Sequence, residues 1–123
     1  MKIFNKANTS NTGDLEILKS FLLIGSQNVK NTPISLQISE IPIKSEQPIH
    51  NHKPTQCYYI IHGQGLMIIE EEKQKVKGGD AICIPSNKNH GIINIGNQPL
   101  EYLTVNSPAF DEDYENKLWP KKP

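Results

Sequence analysis

Short apolar runs, separated by clusters of Gly, Pro and Asn, fill most of this chain, and their spacing is that of strands rather than helices. The segment Ile34-Ser35-Leu36-Gln37-Ile38-Ser39 alternates strictly, so one of its faces packs against protein while the other meets water or a polar cavity. Strands are predicted over 16–24, 34–43, 56–61, 66–71, 81–84, 90–95 and 100–106, with turn signals at 27–31, 62–65, 77–80, 85–89 and 96–99 between them. Several short strands at close intervals favour a sandwich or barrel, which also hides strand edges. The predicted fold is therefore all-β. A segment over 110–119, rich in aromatic and acidic residues, is expected to hold one short helix or a dimer arm packed on the barrel exterior.

The length of 123 residues fits one domain, with 34–106 as the barrel core, 1–33 as N-terminal strands or arm and 107–123 as a tail. A chain of this size builds a core without metal or disulfide staples, so a metal site in it is expected to be functional. Thirteen acidic residues balance thirteen basic ones, all of them lysine and scattered along the chain. That balance argues against nucleic acid as a partner, which needs a clustered basic surface. Without arginine there is no bidentate fork for a carboxylate or phosphate, so an anionic ligand falls to lysine, backbone amides or a metal. The longest apolar run, Phe21-Leu22-Leu23-Ile24, is far too short to span a membrane, and the first residues lack the apolar core of a secretion signal. A soluble cytoplasmic protein is expected, with Cys57 and Cys83 as reduced thiols and Cys83 buried and inert.

The four histidines carry the candidate chemistry. His50 and His52 lie two apart, which in a strand aims both imidazoles at one point. Gln56 returns to the same side if the strand keeps its phase across Pro54, and His90 opens a later strand after a Pro-Asn loop. Three imidazoles and a side-chain oxygen suit a divalent transition metal with positions left for water or substrate. Tyr58 shares the parity of Gln56 and is a candidate proton donor, and His62, at a further even offset, a candidate acid or base at the barrel mouth. Cys57 and Tyr59 have the opposite parity and are expected to face outward or into a subunit contact.

These residues, from His50 to Asn94, resemble the two motifs of the cupin superfamily. His50, His52, Gln56 and Gly63 match the first motif, and Gly79, Pro85, Asn87, His90 and Asn94 match the second. The resemblance implies a double-stranded β-helix, or jelly-roll barrel, with one divalent ion (Mn, Fe, Ni, Cu or Zn) held inside by His50, His52, Gln56 and His90, and a homodimer. Two positions depart from the pattern. Asn87 replaces a glycine, a mild change because asparagine tolerates left-handed backbone. Gln56 replaces the usual glutamate, which leaves the full charge of the ion on the site and removes a general base. Asn94 is expected to secure its strand rather than to bind metal.

The resemblance fixes architecture better than activity. The expected function is a small metal-dependent enzyme of isomerase, dioxygenase or lyase type acting on an oxygen-rich small molecule such as a sugar acid or keto acid. Small cupins that convert unsaturated uronates to linear keto acids are similar in ligand type. The alternative is a non-catalytic small-molecule binding or sensor barrel.

Overall fold

The computed structural model describes residues 1–14 and 16–110. Among the described residues nine strands follow in order: β1 (Lys19–Ile24), β2 (Ser35–Ile41), β3 (Glu46–His50), β4 (Thr55–His62), β5 (Gln64–Ile69), β6 (Glu72–Lys77), β7 (Ala81–Ile84), β8 (His90–Asn94) and β9 (Leu100–Ser107). They form two antiparallel sheets, β1-β2-β9-β4-β7 and β3-β8-β5-β6. Leu18, Ile41, Ile60, Met67, Ile84, Ile92 and Leu100 form the apolar core, at most 4% exposed. The all-β jelly-roll expectation holds.

The seven predicted strands are all present, several with shifted ends. Strands β3 and β6 were not foreseen, because neither carries an apolar alternation. Both lie at an edge of the four-stranded sheet. Pro48 is tolerated in β3 since an edge strand has one side free of the ladder, and β6, Glu72-Lys73-Gln74-Lys75-Val76-Lys77, buries only Val76. A charged edge of this kind deters pairing with other chains.

The alternation in β2 resolves into an unusual arrangement. Ser35, Gln37 and Ser39 are fully buried and point inward, while Leu36 and Ile38 are half-buried on the outer face. Register places three rows side by side on the inner face of the five-stranded sheet: Ser35, Asn106 and Gln56; Gln37, Thr104 and Tyr58; Ser39, Tyr102 and Ile60. The barrel interior is thus polar at one end and apolar at the other, where Ile41 and Leu100 pair.

One expectation is corrected here. Cys83 is exposed, because Ile84 takes the inward position on β7 and alternation turns Cys83 out beside Cys57. The helix or arm expected over 110–119 lies outside the described residues except for Phe110.

Candidate metal centre

His50 closes β3 and His90 opens β8, and the two are register partners, so the ladder itself sets their rings side by side, 4.3 Å between centroids and tilted by 55°. His52 follows on the connection into β4, with its ring 4.7 Å from that of His90 and 5.5 Å from that of His50. Two loops are tied together to hold this arrangement. Asn87 N–H donates to His52 O at 2.9 Å, and Asn51 Nδ2 donates to Asn89 Oδ1 at 2.8 Å. Asn87 sits at φ 64, the left-handed conformation that asparagine was expected to tolerate at this glycine position.

Each of the three rings uses Nδ1 on a main-chain carbonyl two residues away: His50 on Pro48 at 2.8 Å, His90 on Lys88 at 2.8 Å and His52 on Pro54 at 2.9 Å. A carbonyl only accepts, so Nδ1 carries the proton and a neutral ring leaves the lone pair on Nε2. Burial, which disfavours the imidazolium, lowers the pKa of all three and takes His90 down to about 4. These are neutral imidazoles in the ligand form. One nitrogen from each lies within 4.8 Å of the others.

Gln56 lies beside them, 2% exposed, with Oε1 3.2 Å from His52 Nε2. Its orientation comes from behind. Gln56 Nε2 donates to Asn106 Oδ1 at 2.6 Å, Asn106 Nδ2 donates to Ser35 Oγ at 3.1 Å, and Ser35 Oγ also accepts the Phe110 N–H at 2.7 Å. This relay turns the carbonyl of Gln56 toward the histidines. Phe110 is fully buried and packs its ring edge against His52 at 5.2 Å.

The donor set fits a divalent transition ion on two observations. His52 Nε2 and Gln56 Oε1 are both acceptors in this tautomer, and two lone pairs facing across 3.2 Å are satisfied by a cation between them. His90 Nε2 is buried with no hydrogen-bond partner among the described residues, which costs on the order of 1–3 kcal/mol unless a ligand takes its lone pair. No carboxylate joins the histidine group among the described residues.

Tyr58 occupies the next row inward, 3% exposed, stacked on Tyr102 at 4.7 Å and with its ring 6.5 Å from that of His90. Burial first, and then the neighbouring Tyr102, hold its phenol well above the ordinary range, so it stays protonated and donates. His62 is placed elsewhere. A register shift between Ile60 and His62 breaks the parity, and His62 ends β4 exposed, with Nε2 3.4 Å from Glu101 Oε1. The parity that makes His62 a candidate acid or base at the barrel mouth therefore does not carry past Ile60. Asn94 acts as expected in the loops: Nδ2 donates to the carbonyls of Ile41, Pro42 and Gln98, and Oδ1 accepts from Gly96 N–H.

Sequence reasoning missed Asn106, Ser35 and Phe110. Parity along β9 was enough to turn Asn106 inward, but its meeting with Gln56 depends on the β4–β9 register, for which the sequence carries no local signal.

The family model of the Cupin domain matches residues 37–106, more than half of the chain and all four candidate ligands. The chain belongs to this family. Among the relatives of this cupin, an uncharacterized protein of Methanocaldococcus jannaschii is 39% identical over 85 residues, 68% of each chain. An oxalate-binding protein of Thermotoga maritima is 33% identical over 67 residues, spanning 54% of this chain and 55% of its own length. A solved structure of a predicted oxalate decarboxylase from Thermotoga maritima superposes with a TM-score of 0.77 at 21% identity, over 87% of this chain and 99% of the other, which shows the shared fold.

Proposed function

We propose that this cupin is a small metal-dependent enzyme of isomerase, dioxygenase or lyase type whose substrate is an oxygen-rich chelating acid such as a sugar acid or keto acid. The observation that carries the reading is the set of three buried, neutral imidazoles with Nδ1 committed to main-chain carbonyls, joined by the carbonyl of Gln56 and, among the described residues, by no carboxylate. His50, His52, Gln56 and His90 would hold the ion. A divalent ion bound there supplies Lewis acidity toward a carbonyl or carboxylate oxygen, undiminished by any ligand charge. The chain's own contribution is to orient and to donate. Tyr58 keeps its proton beside His90 and offers it to a developing oxyanion, and the wall of Phe110 shields one side of His52 from water.

The test is isomerisation, cleavage and decarboxylation assays on a panel of hydroxy and keto acids, with and without oxygen, for the wild type and a His50→Ala variant. Turnover that needs both metal and His50 supports the reading; turnover that survives the loss of both defeats it.

A second reading is a non-catalytic binding barrel. It is supported by the polar lane beyond the histidines, where Gln37 Nε2 and Oε1 and Thr104 Oγ1 are buried without hydrogen-bond partners among the described residues and bring no titratable base. The oxalate-binding relative points the same way. Tight retention of a chelating acid by the metal-loaded protein, with no turnover in the same panel, would decide for it.

The proposed assembly is a homodimer over the β1–β2 end of the outer face of the five-stranded sheet, away from β4 and β7, where Phe21, Leu23, Leu36 and Ile38 are only half-buried and Ile34 is exposed. No helix among the described residues is long and apolar enough to cross a membrane, and a cytoplasmic location is proposed. Light scattering after size-exclusion chromatography tests the dimer.

A further inference from the structure

The two cysteines lie apart in the sequence and meet on the surface. Cys57 on β4 and Cys83 on β7 are register partners, and both are exposed on the outer face of the five-stranded sheet. The kind of pairing decides what they can do. Ile60 N–H donates to Asp80 O at 2.9 Å, so the N–H groups of Ile60, Tyr58 and Gln56 on β4 point toward β7. In an antiparallel ladder the two kinds of pair alternate, so Tyr58 and Ile82 are hydrogen-bonded partners and Cys57 and Cys83 are a non-hydrogen-bonded pair. Such pairs bring opposed Cα atoms to about 4.5 Å and crowd their side chains together. That separation falls inside the range of about 4.4–6.8 Å spanned by disulfides, so a bond can close without moving the strands. Burial first, and then the neighbouring Cys83 thiol, push the Cys57 thiol above its ordinary range.

We propose that Cys57 and Cys83 form a reversible dithiol–disulfide site that reacts with low-molecular-weight disulfides of the glutathione class. The thiolate of one cysteine attacks a sulfur of the small disulfide, forming a mixed disulfide and releasing one small thiol. The second cysteine then attacks the protein sulfur of that mixed disulfide, closing the Cys57–Cys83 bond and releasing the second small thiol. Two protein sulfurs are oxidised, one small disulfide is reduced to two thiols, and the two cysteine protons leave with them. The closed bond staples β7, a four-residue strand that pairs with β4 alone among the described residues, near its C-terminal end. Strand β7 runs directly into the loop of Pro85, Asn87 and Asn89 that presents His90. The staple therefore bears on the element that aligns one candidate ligand.

The experiment is incubation of the fully reduced, folded protein with a series of reduced and oxidised glutathione mixtures, followed by acid quench, alkylation and intact mass spectrometry. The expected product is a monomeric chain lighter by two hydrogens with no alkylatable thiol, restored by excess reduced glutathione. Cys57→Ser and Cys83→Ser variants should each stop at a single glutathione adduct, since the resolving thiol is gone. The proposal is overturned if the wild type accumulates two glutathione adducts, if it forms only disulfide-linked dimers, or if both thiols stay unreacted in mixtures that oxidise the guanidinium-unfolded chain.

Discussion

Asn106 stands between Gln56 and Ser35, and its replacement by leucine tests whether the glutamine is held as a metal ligand or merely packed. The substitution keeps the number and branching of side-chain heavy atoms, with somewhat more bulk, and deletes both ends of the amide. It removes the acceptor at 2.6 Å from Gln56 Nε2 and the donor at 3.1 Å from Ser35 Oγ. Losing the bond to Ser35 costs about 1 kcal/mol and leaving the buried Gln56 amide without an acceptor about 1–3 kcal/mol, so the metal-free protein should lose about 2–4 kcal/mol of stability. Gln56 would also be free to turn its NH2 toward His52, where it cannot coordinate. Partners behind metal ligands typically matter by 10–100-fold in affinity, and that is the fall expected here. The assay is competition for Mn(II) or Zn(II) against a chelator of known affinity, run on the wild type, Asn106→Leu, Gln56→Ala and the double variant. Because Asn106 is argued to act through Gln56, it should have no further effect on affinity once Gln56 is alanine. A fall in affinity that simply adds to that of Gln56→Ala, or no fall at all despite the loss of stability, would refute the reasoning.

Other consequences are open to simpler measurements. Gln56→Glu places a carboxylate among three neutral imidazoles, and metal affinity should rise by about tenfold or more, read in the same competition assay. His90 has a folded pKa of about 4 against 6.5 when unfolded, so between these values the unfolded chain carries a proton that the folded one does not. The stability of the metal-free protein should therefore fall as pH drops from about 6.5 to about 4, by about 3 kcal/mol from this residue alone. Urea unfolding at several pH values, beside a His90→Gln variant with a shallower dependence, checks this. Tyr58→Phe removes the donor while keeping the stack on Tyr102, and should lower kcat on an accepted substrate with metal affinity unchanged.

Much of the barrel was legible in the sequence because its core strands alternate. Ile34 to Ser39 and Leu100 to Asn106 announce a two-sided strand whatever else surrounds them. What could not be read was which side faces in. The polar face of β2 lines the interior and the apolar face lies outside, an inversion that depends on the site within and on whatever covers the sheet without. The edge strands β3 and β6 escaped because edges are selected for charge and irregularity, not for an apolar period. The histidines were legible as a spacing, and strand pairing then supplied what spacing lacks: the register of His50 with His90. The parity of Gln56 does not carry to His62 because counting fails across a bulge, and the Gln56–Asn106–Ser35 relay and the Cys57–Cys83 pair were invisible because both are made by cross-strand register.

The claim that this constellation is a metal centre is tested most directly by elemental mass spectrometry of untagged protein, purified without chelators and never exposed to nickel resin. The account predicts about one equivalent of Mn, Fe, Ni, Cu or Zn per chain, as purified or after incubation with the ion, lost in His50→Ala and His90→Ala variants that remain folded. Less than about a tenth of an equivalent after incubation with each ion, or a full equivalent retained in those variants, would contradict it.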